Sequence, residues 1–250
     1  MNLKQKMQSG DLLTGTFLKT PAFQLVEILA KSNLDFIAID AEHSPFDRGT
    51  MDACIAIARA MDFPVLVRVP DGSDAQILTT LDAGANAIII PHVNSVEKAE
   101  TIARAAHFGH GGRGFAGSTR WAGYATRSMA DVLKMDQTET IVIAQIEEPE
   151  GVDAIDQIAA VDGIDGVFVG PADLAVCYGV TDVNGPEVMG AMAKVATAAA
   201  KHGKCMITFA SNANATAQLK ALGVSMIFLA SEHAFLLTAA NQADAAFRSA

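Results

Sequence analysis

The chain has 250 residues, of which 50% are hydrophobic and 18% are charged, and its formal net charge is −10. So large an apolar fraction can fill a sizeable core, whereas the negative charge argues against binding to nucleic acid or to an anionic membrane surface. No apolar run reaches the length that a membrane span requires, and Cys54, Cys177 and Cys205 lack the spacing of a metal site. We therefore expect a cytoplasmic protein with reduced thiols.

Short apolar runs alternate with segments of helical periodicity along the chain. The predicted strands are 12–17, 35–40, 64–69, 86–91, 141–147, 165–169, 204–209 and 225–230, and the predicted helices are 21–32, 47–61, 73–82, 95–107, 149–161, 186–202, 212–222 and 232–248. Uniformly apolar strands are typical of parallel strands buried on both faces. The pattern predicts an α/β fold, a (β/α)8 TIM barrel that forms a single domain over residues 1–250, with an open doubly wound sheet as the alternative. A glycine-rich insertion, 109–138, interrupts the alternation.

Acidic residues follow two neighbouring strands at the rim where barrel enzymes carry their chemistry. Glu147 ends the fifth strand and Asp173 lies just beyond the sixth, with no lysine or arginine between them. Two such carboxylates predict a site for Mg²⁺ or Mn²⁺, and Co²⁺, Ni²⁺ or Zn²⁺ could also bind there. The alternatives are that Glu147 is a solvated loop acid and that Asp173 caps a helix.

Other rim positions carry a cation and a base. Arg68 ends the third strand, where a guanidinium can stabilise a developing oxyanion, and a salt bridge to Asp40 is the alternative. His43 follows the second strand and is the candidate base, with a turn-capping role as the alternative. His92, at the end of the fourth strand, is a weaker rival for that role.

Three further features bear on the mechanism. The segment Gly170-Pro171-Ala172-Asp173 opens a helical turn whose free amides suit a substrate carboxylate. None of strands three to eight ends in lysine, and Lys19 is the only near candidate, so a Schiff-base route is not favoured. Asp82 ends the third helix and, within its own subunit, lies at the opposite end of the barrel from the rim. From the chain alone, a helix-terminal acid before Gly84 is the favoured interpretation.

Five runs resemble one enzyme family and occur in the same order. They are Asp40-Ala41-Glu42-His43-Ser44-Pro45, Val67-Arg68-Val69, Leu81-Asp82-Ala83-Gly84, Gln145-Ile146-Glu147 and Gly170-Pro171-Ala172-Asp173-Leu174. The resemblance extends over about residues 15–235. It is to the class II pyruvate aldolases of the HpcH/HpaI family, such as the 4-hydroxy-2-oxoheptanedioate and 2-dehydro-3-deoxyglucarate aldolases.

The resemblance implies roles for residues in the last two of these five runs. Glu147 and Asp173 would be the metal ligands. The substrate would bind at four positions, which are Gln145, Gly170, Pro171 and Ala172.

The resemblance also implies the proton-transfer groups and an assembly. His43 would be the proton acceptor, Arg68 would stabilise the transition state, and Asp82 of a neighbouring subunit would raise the basicity of the histidine. The family implies a homohexamer, built as a trimer of dimers, with the last helix exchanged between partners. Phe209 and the insertion would shape the aldehyde side of the pocket.

These residues predict a metal-dependent aldolase that reversibly cleaves a 4-hydroxy-2-oxo acid into pyruvate, or hydroxypyruvate, and an aldehyde through a metal-bound enolate. One alternative is a CoA-ester lyase of the citrate lyase β type. Such a lyase would need a basic patch for the CoA phosphates, for which Arg113, Arg120 and Arg127 are the candidates. The other alternative is a non-catalytic barrel that binds a 2-oxo acid, for which His43 would not be required.

Overall fold

The computed structural model describes residues 1–249. Its strands are β1 (Leu13–Leu18), β2 (Phe36–Asp40), β3 (Val65–Arg68), β4 (Ala87–Ile90), β5 (Ile141–Ile146), β6 (Gly166–Val169), β7 (Cys205–Ala210) and β8 (Met226–Ser231). Each strand pairs in parallel with the next, and β8 pairs with β1, so the sheet closes into a barrel. The predicted (β/α)8 barrel is confirmed, and the open sheet was the wrong alternative.

Helices surround the barrel. They are α1 (Leu3–Ser9), α2 (Phe23–Leu29), α3 (Arg48–Ala60), α4 (Asp74–Ala83), α5 (Val96–Ala106), α6 (Met129–Glu139), α7 (Pro149–Asp153), α8 (Ile155–Ala160), α9 (Pro171–Cys177), α10 (Pro186–Lys201), α11 (Thr216–Ala221) and α12 (Glu232–Arg248), and a 3₁₀ turn, Ala213–Ala215, precedes α11. The single helix predicted over 149–161 is two helices, because the backbone at Ala154 leaves the helical range with a ψ of 1°. Within residues 1–249, no helix has the length and apolar character to cross a membrane.

Two helices, α1 and α6, lie where the sequence pattern did not predict them, and α9 extends to Cys177 the helical turn that was predicted to open at Gly170-Pro171-Ala172-Asp173. The side chain of Asn2 accepts a hydrogen bond from the Gln5 amide and starts α1, whose Leu3 and Met7 are buried. These two side chains pack with residues that begin the strands, such as Leu13, and thereby cover the amino-terminal end of the barrel. The helix α6 lies inside the 109–138 insertion and buries Val132 and Asp136.

The core has two layers because successive side chains of each strand face opposite sides of the sheet. Inside the barrel, the Phe228 ring lies 4.9 Å from each of three other rings, those of Phe17, Phe36 and Phe168. Outside it, the alternate residues pack against the helices. Register aligns the strand ends: Ile146 pairs with Val169, and Asp40 pairs with Arg68. The residues that follow these strands therefore emerge at the same height on the rim.

The last helix differs from the others in how little of it is buried. Within the described part of α12, only Glu232 is buried. The side chains of Leu236, Leu237 and Phe247 are 57%, 65% and 87% exposed. Most of this helix therefore presents apolar surface to solvent in the single chain.

Candidate active site

The carboxyl ends of the strands enclose a cavity of about 400 Å³. Eight predicted site residues line it, namely His43, Arg68, Gln145, Gly170, Pro171, Ala172, Asp173 and Phe209. The rings of Phe17 and Phe209 lie 6.5 Å apart in its wall. The structure thus brings together most of the residues that the sequence singled out, at the end of the barrel where such sites lie.

Glu147 and Asp173 converge next to this cavity. A methyl group placed on Gly170 would lie 3.2 Å from Oε2 of Glu147 and 3.3 Å from Oδ2 of Asp173, so both oxygens face the same small volume. Within residues 1–249, no group of three or more His, Cys, Asp or Glu side chains could hold a metal ion. A pair of convergent carboxylates suits a hard divalent cation that keeps water or substrate oxygens in its other positions.

Two neighbours hold the Glu147 carboxylate in place. The Nε2 of Gln145 donates a hydrogen bond to Oε2, and the backbone N–H of His92 donates one to Oε1 over 2.7 Å. The Glu147 side chain is only 3% exposed. Oε1 of Gln145 is buried without a hydrogen-bond partner in the described residues. An unpaired buried acceptor is costly, so this oxygen is suited to a hydrogen bond from a substrate hydroxyl.

Arg68 forms the salt bridge that the sequence offered as an alternative, and it also lines the cavity. Its Nε donates to Oδ1 of Asp40 over 3.0 Å, its Nη2 lies 2.9 Å from Oδ2, and Oε2 of Glu42 lies 3.2 Å from Nε. Burial raises the pKa of Glu42, and the charge of Arg68 opposes that rise. Burial acts in the same direction on Asp40, but hydrogen bonds from Arg68 and Lys19 offset it and hold the pKa of that carboxyl below its usual range.

His43 lies at the mouth of the cavity. Its side chain is 59% exposed, and its Nε2 lies 3.5 Å from Oε2 of Glu42. Its backbone N–H donates to Oδ1 of Asp40 over 3.2 Å, which fixes the start of the loop after β2. The imidazole is therefore open to substrate and water, whereas its backbone is anchored to the same buried acid that holds Arg68.

The weaker rival, His92, lies on the other side of Glu147. Its backbone has a φ of 55°, and its Nδ1 lies 3.1 Å from Oε1 of Glu147 and 3.0 Å from Oε1 of Glu148. The ring is thus surrounded by carboxylates and does not line the cavity that contains Arg68. This placement favours His43 over His92 as the base.

Asp82 is the predicted site residue that the single chain keeps apart from the others. It lines a different cavity of about 570 Å³, between α3, α4 and the insertion. In the described chain the two cavities share no lining residue. Burial raises the pKa of the Asp82 carboxyl, and the charges of Arg113 and Arg48 oppose the rise.

Glu42 and Lys19 lie at the site although neither was among the predicted site residues. Glu42 lies within 3.7 Å of side-chain nitrogen atoms of Arg68, His43 and His92, and the Nζ of Lys19 lies 2.9 Å from Oδ2 of Asp40. The signal for Glu42 was its place at the end of β2, in the run that carries Asp40 and His43. The sequence placed Lys19 near the rim, but it did not indicate the pairing with Asp40, because the Lys19 side chain reaches across from the loop after β1.

A closed parallel barrel that gathers convergent carboxylates, a buried arginine and an open histidine at the carboxyl ends of its strands is the architecture of a barrel enzyme. Residues 13–239 match the family model described as HpcH/HpaI aldolase/citrate lyase. The chain belongs to this family, and the predicted resemblance is confirmed. Aldolases and citrate lyases cleave carbon–carbon bonds, and the chain is a carbon–carbon lyase of the class II aldolase type.

Individual relatives agree with the family. The chain is 34% identical over 250 residues to a hydroxypyruvate/pyruvate aldolase of Paraburkholderia phytofirmans, which covers 96% of this chain and 95% of that protein. It is 36% identical to a 5-keto-4-deoxy-D-glucarate aldolase of an Enterobacter species, over 71% of this chain and 70% of that protein. The crystal structure of an HpcH/HpaI aldolase/citrate lyase family protein from Burkholderia cenocepacia superposes with a TM-score of 0.92 at 32% identity, covering 98% of each chain.

Proposed function

We propose that this protein is a divalent-metal-dependent aldolase that reversibly cleaves 4-hydroxy-2-oxo acids to pyruvate or hydroxypyruvate and an aldehyde. In this proposal, residues 1–250 form a single aldolase barrel that acts in the cytoplasm. The observation that carries it is the convergence of the Glu147 and Asp173 oxygens around Gly170, at the edge of the rim cavity. The names of the relatives supply the substrate class, and membership of the family supports a divalent metal. We assign Mg²⁺ or Mn²⁺ because the side-chain donors are carboxylates.

The substrate acid is held by groups on β5 and α9. A divalent cation between Glu147 and Asp173 would supply Lewis-acid polarisation of the 2-oxo group. The amides of Ala172 and Asp173 lie in the first turn of α9, where they have no acceptor within the helix. They are therefore available to the substrate carboxylate.

The proton and the electron pair are handled by residues on β2 and β3. In the cleavage direction His43 takes the proton of the 4-hydroxyl, through a water molecule, as the bond between C3 and C4 breaks. The electron pair of that bond passes to the pyruvate enolate, and Arg68 stabilises the negative charge that develops on the enolate oxygen. Protonation of the enolate at C3, by the proton taken from the 4-hydroxyl, then gives pyruvate. Asp40 and Glu42 fix the guanidinium before the reaction begins. The Phe209 ring limits the space on the side of the cavity where the aldehyde part of the substrate would bind.

The proposal extends to the assembly. Asp82 raises the basicity of His43 of a neighbouring copy, within a hexamer built as a trimer of dimers whose last helices are exchanged. Two observations support this. Asp82 lies outside the cavity of its own chain, and α12 exposes Phe235, Leu236, Leu237 and Phe247, an apolar surface that a second copy would cover.

The CoA-ester lyase has less support, because its three candidate arginines are engaged within the chain. Arg113 is buried, Arg120 binds the carboxylate of Asp52, and Arg127 donates to the carbonyl oxygen of Trp121 over 3.2 Å. These side chains are therefore not presented as a patch for the CoA phosphates. The binding-only barrel is disfavoured by membership of an enzyme family.

The proposal is tested by coupling pyruvate release from a 4-hydroxy-2-oxo acid to lactate dehydrogenase. We expect chelation to abolish release and added Mg²⁺ or Mn²⁺ to restore it. Glu147→Gln should lose release at any metal concentration, whereas Glu100→Gln, which alters an exposed acid on α5, should behave as the wild type. Pyruvate release that survives exhaustive chelation would contradict the proposal.

A further inference from the structure

Arg113, in the glycine-rich insertion, is a buried cation. Its side chain has no exposed surface, and its guanidinium carbon lies 3.9 Å from the Phe108 ring centroid and 4.8 Å from that of Trp121. The Nε and Nη2 atoms are buried without a hydrogen-bond partner in the described residues. Burying a cation with unsatisfied donors costs stability. Aromatic packing offsets part of this cost, but an apolar side chain would fill the same space without it.

The insertion is built to bring this cation inside. A Cβ on Gly112 would lie 2.4 Å from the carbonyl oxygen of His107 and 2.8 Å from that of Arg104, so the chain passes too close to the end of α5 for any side chain at this position. The backbone N–H of the next residue, Arg113, donates a hydrogen bond to the His107 carbonyl over 2.8 Å. The Arg113 side chain is thereby directed inward, under the insertion.

The guanidinium faces the carboxylate of Asp82, with 3.9 Å between Nε and Oδ1. The insertion also forms hydrogen bonds with the backbone at the end of α4. The N–H of Trp121 donates to the Asp82 carbonyl over 3.3 Å, and Nη1 of Arg120 donates to the Ala83 carbonyl over 2.7 Å. The other nearby acid, Asp136, already accepts hydrogen bonds from the Phe108 N–H and the Thr140 hydroxyl. Burial lowers the pKa of Arg113, and the charges of Asp136 and then Asp82 oppose this. Within residues 1–249 the Asp82 carboxylate accepts no hydrogen bond, which leaves Arg113 as its cationic partner.

We propose that the 109–138 insertion is the device that positions Asp82, and that Arg113 is a positioning residue that acts through the Asp82 carboxylate. This inference rests on the proposed function, in which Asp82 raises the basicity of His43 of a neighbouring copy. The carboxylate side chain keeps 23% of its surface exposed and lines an open cavity. It can thus meet another subunit on its outer side while Arg113 holds it from within.

The charge arrangement gives the sign of the effect. Burial raises the pKa of Asp82, and Arg113 is the first of the charges that lower it. The other charged or titratable groups around the same cavity are Arg48, Asp52, Arg120 and Tyr124, and Asp52 and Arg120 neutralise each other. Loss of Arg113 should therefore raise the pKa of Asp82, so that Asp82 loses its charge at a higher pH.

The experiment compares Arg113→Met, Arg113→Lys, Asp82→Asn and the double variant Arg113→Met/Asp82→Asn, with Arg104→Met on the exposed face of α5 as the control. The Met side chain keeps the packing between the two rings and removes the unsatisfied donors. Because removing one partner of a buried charge pair can itself destabilise the fold, Tm is measured for every variant and kcat is compared at a temperature well below the lowest Tm. Arg113→Lys keeps the charge and should have the smaller effect.

For pyruvate release by the metal-saturated enzyme, we expect Arg113→Met to lower kcat about tenfold without changing KM, and to move the acidic limb of the pH profile upward by about one unit. Adding Arg113→Met to Asp82→Asn should cause no further loss, because the two residues act as one unit. Additive losses, an unmoved pH profile, or a fall in Tm large enough to explain the loss of activity would overturn the inference.

A second readout does not depend on catalysis. The Asp82 carboxyl carbon can be followed by ¹³C NMR of aspartate-labelled protein, assigned with Asp82→Asn. An upward shift of its pKa in Arg113→Met supports the inference, and an unchanged pKa overturns it, even for an enzyme that acts on another substrate. Failure of the proposed function is seen separately, as a wild-type protein that releases no pyruvate.

Discussion

Because Gly170 has no side chain, the space next to the carboxylates of Glu147 and Asp173 stays open. The residue has a φ of −91° and a ψ of 92°, a conformation open to alanine, so the backbone does not require glycine there. What requires it is the space between Glu147 and Asp173. Many rim residues were predicted from strand ends alone, because a residue type at the end of a buried run is informative about the site. Contacts that cross between loops, as between Lys19 and Asp40, carry no such signal.

Replacing Gly170 with alanine should weaken metal binding about 10- to 100-fold, since the methyl group would occupy the volume that the two oxygens face. Titration of Mn²⁺ followed by electron paramagnetic resonance measures this directly. Gly190→Ala on α10, where an added Cβ meets nothing within 4 Å, is the matched control. Equal Mn²⁺ affinity in the two variants would show that the space at Gly170 is not part of the metal site.

At the scale of elements, the strands were the most predictable part of the chain. Continuous apolar runs such as Val65-Leu66-Val67 in β3 predict buried parallel strands when they alternate with helical segments. The helices α1 and α6 were missed because each depends on a capping side chain, Asn2 and Ser128, and on burial against parts of the chain far away in sequence. The burial of Arg113 was missed for the same reason: nothing local shows that the insertion folds back onto α4.

The buried acid Glu232 ties the start of α12 to the loop that follows β1. The carboxylate of Glu232 accepts hydrogen bonds from the N–H groups of Lys19, over 2.9 and 3.0 Å, and of Thr20, over 2.6 Å. Removing a buried acceptor that serves two amides costs about 1–3 kcal/mol.

We therefore expect Glu232→Ala to lower Tm by several degrees at a fixed protein concentration, as measured by calorimetry. Glu232→Gln, which retains an acceptor, should lie between it and the wild type. Glu27→Ala, on the exposed face of α2, should leave Tm unchanged. A Tm for Glu232→Ala equal to that of the control would show that the last helix is held by other contacts.

At the scale of the whole molecule, the barrel was predictable because eight alternating units close in only one common way, but the assembly was not. A single chain shows Asp82 apart from His43, and periodicity does not report which surfaces meet between copies. The number of copies and the exchange of α12 remain predictions that rest on the family resemblance and on the exposed apolar residues of α12.

Subunit complementation tests the shared site. His43→Ala and Asp82→Asn should each be nearly inactive as homo-oligomers. After co-refolding in equal amounts, about a quarter of the sites should combine an intact His43 with an intact Asp82 of the neighbour, and activity should return to that fraction. Mixtures no more active than their separate components would show that Asp82 does not serve another subunit.

The position of the helix α1 bears on how substrates enter and products leave the enzyme. Leu3 and Met7 pack across the amino-terminal end of the barrel, and phenylalanine rings fill its interior. In the described chain the rim cavity therefore opens at the carboxyl ends of the strands. Under the proposed function both products leave through this opening, and the acid would be held by the amides at the start of α9. We therefore expect the aldehyde to leave before pyruvate, and the acid to bind first in the synthetic direction.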